Sequence, residues 1–146
     1  MTKRLFFGCI MVLAGLVSGI SYAAEQSKDQ KIVMYYFRGT SRSPVCRHLE
    51  KVCREAVEDD FRDELASGKF DFRVVTLGND GQGYYDNYYR VSSRMAILSL
   101  VENGRELRWK NLERIGEYIN DKEGLAGYLR GEIASLSADP DVSSGQ

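Results

Sequence analysis

The stretch Ile32-Val33-Met34-Tyr35-Tyr36-Phe37-Arg38-Gly39-Thr40-Ser41-Arg42-Ser43-Pro44-Val45-Cys46 decides the fold. Its first half is a run of β-branched, aromatic and other apolar residues without polar alternation, which predicts a strand over Lys31–Phe37 buried on both faces. Arg38–Arg42 reads as a loop bending at Gly39. Ser43 then suits a helix N-cap and Pro44 the first helical position. A strand, a short loop and a cysteine in the first turn of a helix is the setting of a thiol redox site. Two cysteines separated by two residues normally occupy it, but here Ser-Pro-Val-Cys stands in place of Cys-x-x-Cys.

Working outward, the helix opened by Pro44 carries the apolar stripe Val45, Leu49, Val52, Cys53, Ala56, Phe61 and Leu65, close to the helical period, and Ser67-Gly68 ends it. Phe70–Leu77 predicts a second strand, parallel to the first across that helix. Gly78–Gly83 is turn-rich. Tyr84–Arg90 holds four tyrosines on a short helix or loop, whose rings are expected to pack on the sheet with their hydroxyls in water. Ala96–Val101 and Glu106–Trp109 read as strands joined at Asn103-Gly104, a strong hairpin signal. Leu112, Ile115 and Ile119 mark a short helix. Asp121 suits the cap of a last helix with the stripe Leu125, Tyr128, Leu129, Ile133 and Leu136. The order strand, helix, strand, short helix, hairpin, helix is that of a thioredoxin-like α/β domain. It predicts a four-stranded mixed sheet, a parallel strand-helix-strand unit plus an antiparallel hairpin, flanked by helices.

The chain has 146 residues and a net charge of −1. Lys3 and Arg4, the uncharged run Leu5–Ile20 and Ser21-Tyr22-Ala23 read as a signal peptide, Met1–Ala23, cleaved after Ala23. The run is short for a membrane span, which needs roughly 20 residues, so contact with a membrane is expected only through an uncleaved leader. Ala24–Ala138 forms one domain and Asp139–Gln146 a disordered tail. The expected location is periplasmic or secreted. The charge balance argues against nucleic-acid binding.

Cys46 and Cys53 survive cleavage. On one helix they lie about 10 Å apart along the axis, beyond disulfide reach, so both thiols are expected free. Cys46 would be the third helical residue, where the positive end of the helix dipole favours thiolate. Arg38, Arg42 and Arg47 lie nearby in sequence and no acid precedes Glu50. Two readings stay open: a reactive thiol, or an inert half-buried cysteine among surface arginines. Ser43 cannot form a disulfide, so a dithiol cycle within the motif is excluded. What remains for Cys46 is monothiol chemistry, by mixed disulfide or sulfenic acid. Cys53 falls on the apolar stripe and reads as a core residue. His48, about 200° around the helix from Cys46, reads as solvent-facing. No metal site, phosphate loop or flavin-binding motif is visible, and no cofactor is expected.

The chain resembles the exported thioredoxin-like family of the nitrophenyl compound nitroreductase subunit ArsF over roughly Lys31–Ser135. The resemblance rests on Val33-Met34-Tyr35-Tyr36-Phe37-Arg38-Gly39 leading into Pro44-Val45-Cys46-Arg47, where members show Tyr-Tyr-Phe-His-Gly and then Cys-Pro-Thr-Cys-Arg. It rests also on Glu106-Leu107-Arg108-Trp109-Lys110-Asn111-Leu112-Glu113-Arg114-Ile115 and on Tyr128-Leu129-Arg130-Gly131-Glu132-Ile133. It implies a thioredoxin-like fold and an accessory role with a nitroreductase. One motif cysteine maps onto Cys46, the other falls on Ser43, and Arg38 replaces the histidine. Thioredoxins also carry a cis-proline before the third strand. The corresponding place is near Met95-Ala96, and the only prolines are Pro44 and Pro140. The expected function is that of a redox-degenerate accessory protein bound to a periplasmic protein partner. The alternative is a monothiol redox protein acting through Cys46.

Overall fold

A strand whose side chains are apolar on both faces needs cover on both faces and neighbours on both edges. The computed structural model, which describes residues 29–41, 43–78 and 83–138, gives Lys31–Phe37 that central place. The expected leader, Arg42 and the expected tail lie outside the described residues. Strand β1 (Gln30–Arg38) leads to α1 (Pro44–Asp60) and α2 (Arg62–Ala66), then to β2 (Phe70–Thr76) and α3 (Gly83–Tyr89). The hairpin β3 (Met95–Glu102) and β4 (Arg105–Asn111) follows, then a 3₁₀ turn over Ile115–Tyr118 and α4 (Lys122–Ala138). The sheet order is β2-β1-β3-β4, with β1 parallel to β2 and antiparallel to β3, and β3 antiparallel to β4. This is the four-stranded mixed sheet of a thioredoxin-like α/β domain.

Alternate β1 side chains feed two cores. Ile32, Met34 and Tyr36 pack with Leu49, Val52, Cys53, Ala56 and Val57 of α1 and with Leu125, Leu129 and Leu136 of α4. Val33, Tyr35 and Phe37 pack on the other face with Val75, Ile97 and Tyr89 of α3. Each large apolar side chain fully buried this way contributes roughly 2 kcal/mol.

The helical stripe predicted to run on to Leu65 is interrupted. Phe61 leaves the helical region at φ −124°, ψ 30°, between α1 and α2. Its ring stacks on Phe70 at the start of β2, with centroids 5.0 Å apart. The chain stays nearly helical around it, since Phe61 donates its N–H to Val57 and accepts from Leu65. The expected hairpin turn forms, with Asn103 at φ 52° and Gly104 at φ 79°, the left-handed pair that suits the strand twist. A bulge between Leu100 and Val101 shifts the β3–β4 register and leaves Leu107 exposed. The predicted cap at Asp121 is present, its Oδ1 accepting from Gly124 N–H at 2.8 Å.

The four tyrosines of α3 divide. Tyr85 and Tyr89 pack against Tyr35 and Phe37 of the sheet. Tyr84 and Tyr88 stack on each other outside, with Tyr84 62% exposed. The hydroxyl of Tyr89 does not end in water: it donates to Glu106 at 2.5 Å.

Candidate functional site

The site is the N-terminal turn of α1, set at the end of β1. Ser43 is the N-cap in extended geometry and Pro44 opens the helix, as the sequence predicts. The Ser43 hydroxyl accepts from Cys46 N–H at 3.3 Å and donates to Cys46 Sγ at 3.1 Å. Tyr36, fully buried under this turn, donates its hydroxyl to the Cys46 carbonyl at 3.3 Å. Burial pushes the Tyr36 phenol upward, and the nearby thiols Cys53 and Cys46 add to it. It therefore stays a neutral donor that holds the helix start on the sheet.

Cys46 is a free thiol of intermediate exposure and Cys53 a free, buried one. Burial pushes the Cys53 thiol up to about 12, with Glu50 adding to the effect. A thiol so placed stays protonated at neutral pH and supplies no nucleophile. It is a core side chain of α1, and the Ser43–Cys46 pair contains one sulfur.

Of the arginines near the thiol in sequence, Arg38 has its guanidinium engaged by other groups. Arg38 donates from Nε to Thr76 Oγ1 at 2.8 Å and pairs through Nη1 with Glu50 at 3.4 Å. Arg47 lies exposed on the helix start, and Arg42 is outside the described residues. His48 is exposed, with Nε2 3.2 Å from Asn120 Oδ1. No group of three histidine, cysteine, aspartate or glutamate side chains among the described residues is spaced to hold a metal ion.

Beside Val45, the residue before Cys46, runs an open groove of about 420 Å³. Its walls are Val45 and Leu49 of α1, the segment Ser93-Arg94-Met95, and Asn111, Leu112, Glu113, Ile115, Gly116 and Ile119. Val45 and Leu49 share one helix side by their four-residue spacing, and Val45 is 49% exposed. The Ser93–Met95 wall occupies the place where thioredoxins carry their cis-proline. Here the described residues contain no cis peptide bond, and Arg94 takes φ 73° instead. Arg94 N–H donates to the Phe37 carbonyl at 2.7 Å, tying this wall to the end of β1. Met95 Sδ accepts from the amide and the hydroxyl of Ser92, at 3.1 and 3.2 Å.

Sequence reasoning found the helix start and missed the groove, whose walls come from segments far apart in the chain. It also missed a half-buried carboxylate at the edge of the opposite core. Glu106 Oε2 accepts from Tyr89 and from Ser99. Burial first, and Glu106 next, raise the Tyr89 phenol.

The fold is that of a thioredoxin-like α/β protein whose α1 opens on Ser43-Pro44-Val45-Cys46. No family model, no curated protein and no solved structure matches the chain. No described helix is long and apolar enough to cross a membrane.

Proposed function

We propose that this protein is an exported thioredoxin-like accessory subunit that binds a periplasmic protein partner without dithiol chemistry. The reading is carried by the Ser43–Cys46 contact: a hydroxyl 3.1 Å from Sγ stands where the attacking thiol would be. Serine supplies the cap and no exchangeable sulfur. The helix start is thus intact as structure while the two-electron dithiol cycle is closed to it. The neighbouring groove sets Leu49, Leu112, Ile115 and Ile119 beside the polar Ser93, Arg94, Asn111 and Glu113, with an exposed Val45 at its rim. Such a mixed, open lining suits an extended segment of another protein that offers both apolar and polar groups. The resemblance to the ArsF family supports a nitroreductase-type partner.

The second reading, a monothiol redox protein acting through Cys46, draws on the partial exposure of that sulfur in the first turn of α1. Capture from periplasmic extract separates the two. Under the accessory reading, Cys46→Ser captures the same partner as wild type, and Val45→Asp does not. Loss of the partner with Cys46→Ser, and its retention with Val45→Asp, would favour the monothiol reading instead. Alkylation of Cys46 at neutral pH adds a second measure. The accessory reading expects a rate no faster than that of an unstructured cysteine peptide, and the monothiol reading a rate about tenfold faster or more.

A further inference from the structure

The two edges of the sheet are unlike. β4 is broken by a bulge and bears Arg105, Arg108 and Lys110, the usual protection of an exposed edge. The other edge is β2, Phe70-Asp71-Phe72-Arg73-Val74-Val75-Thr76, with no bulge, proline, glycine or lysine. Among the described residues no strand pairs with its outer side. Its hydrogen-bond polarity is fixed by the flanking contacts: Lys69 C=O accepts from Ile32 and Leu77 N–H donates to Arg38. Odd-numbered residues therefore face β1, and the amides and carbonyls of Phe70, Phe72, Val74 and Thr76 point outward.

We propose that β2 is a self-association edge, and that its occupant is β2 of a second copy of this chain, antiparallel about a two-fold axis at Phe72. The sequence is self-complementary in that register. Phe72 meets Phe72 of the second copy, and Phe70 meets Val74, all at positions whose backbone groups face outward. These become the hydrogen-bonded pairs of an antiparallel ladder. Between them fall the closer, non-hydrogen-bonded pairs, which set Asp71 opposite Arg73 of the second copy and Arg73 opposite its Asp71. Within one chain these two already form an ion pair at 2.7 Å, with side chains 37% and 46% exposed. The dimer closes them into a square of alternating charge, with unlike neighbours along and across the strands. A register with Arg73 on the axis would instead oppose Arg73 to itself. The symmetry is isologous and closed, so the contact stops at two copies. Arg54, stacked over the Phe72 ring at 5.2 Å, keeps its partner Glu50 on α1.

The test is sedimentation velocity of the purified protein over a range of concentration. The expected result is a weak dimer, with Kd on the order of 10–100 µM for so short an edge. Asp71→Arg alone and Arg73→Asp alone each make the square a single sign and weaken self-association by about tenfold or more. The two variants mixed together restore unlike pairs and associate with each other, which a merely structural role for either residue would not produce. Circular dichroism checks that each variant is folded. Should one fail to fold, amide exchange on wild type reads the same contact: Phe72 and Val74 amides slow as concentration rises, whereas Arg73 and Val75 amides, already in the ladder, do not. A wild-type protein monomeric at about 1 mM, a dimer indifferent to both charge reversals, or amide exchange at Phe72 and Val74 independent of concentration would each overturn the proposal.

Discussion

Replacing Ser43 by cysteine tests whether the first turn of α1 holds positions 43 and 46 within disulfide reach. The Ser43 hydroxyl lies 3.1 Å from Cys46 Sγ, and a disulfide needs about 2.05 Å between sulfurs. The missing closure is about 1 Å, and a longer carbon–sulfur bond supplies part of it. Small side-chain rotations in the first turn of α1 supply the remainder, without moving the backbone. The reduced variant gives up a serine cap, which costs about 1 kcal/mol. Mild oxidation should then join the introduced thiol to Cys46. The assay is mass spectrometry of the oxidised protein after alkylation in denaturant. The expected product has lost two hydrogens, carries an alkyl group on Cys53 and none at position 43 or on Cys46, and is not cross-linked to a second chain. If both sulfurs at the helix start are alkylated after oxidation, the reasoning about this turn is refuted.

Further expectations follow from single contacts. Ser43→Ala removes the cap of α1 and should lower stability by about 1 kcal/mol, read as a midpoint shift in urea with unchanged slope. Tyr89→Phe leaves Glu106 with one hydroxyl donor fewer at the edge of the core and should cost about 1–3 kcal/mol, again by urea titration. The Cys53 thiol rises from an ordinary value of 9.0 to about 12 on folding, so the native thiol stays protonated while the unfolded one ionises. Its contribution is fully present below pH 9 and is lost as pH rises toward 12. Cys53→Ala should flatten the fall of stability across that window by about 1.4 kcal/mol per pH unit at most.

The sheet and the helix start were legible because their signals are local. The two-sided apolar run of β1, the Ser43-Pro44 cap and the Asn103-Gly104 turn each restrict the backbone within a few residues. The break at Phe61 was hidden, because its stripe stays periodic to Leu65 and only the stack on Phe70 draws the ring out of the helix. Arg38 reads in sequence as a neighbour of Cys46. The parallel register that sets Arg38 beside Thr76 directs its guanidinium to Thr76 and Glu50. The groove joins Val45 and Leu49 to Met95, Leu112 and Ile119, and no local pattern announces such a meeting. Glu106 looks like an exposed strand residue, and the bulge beside Val101 helps set its place against Ser99 and Tyr89.

We propose that the first turn of α1 and the groove at Val45 serve binding and not thiol exchange. Capture from periplasmic extract by wild type, Cys46→Ser and Val45→Asp addresses it most directly. The expected result is one partner retained undiminished by Cys46→Ser and lost with Val45→Asp. A partner lost with the Cys46 sulfur and indifferent to Val45 would contradict it.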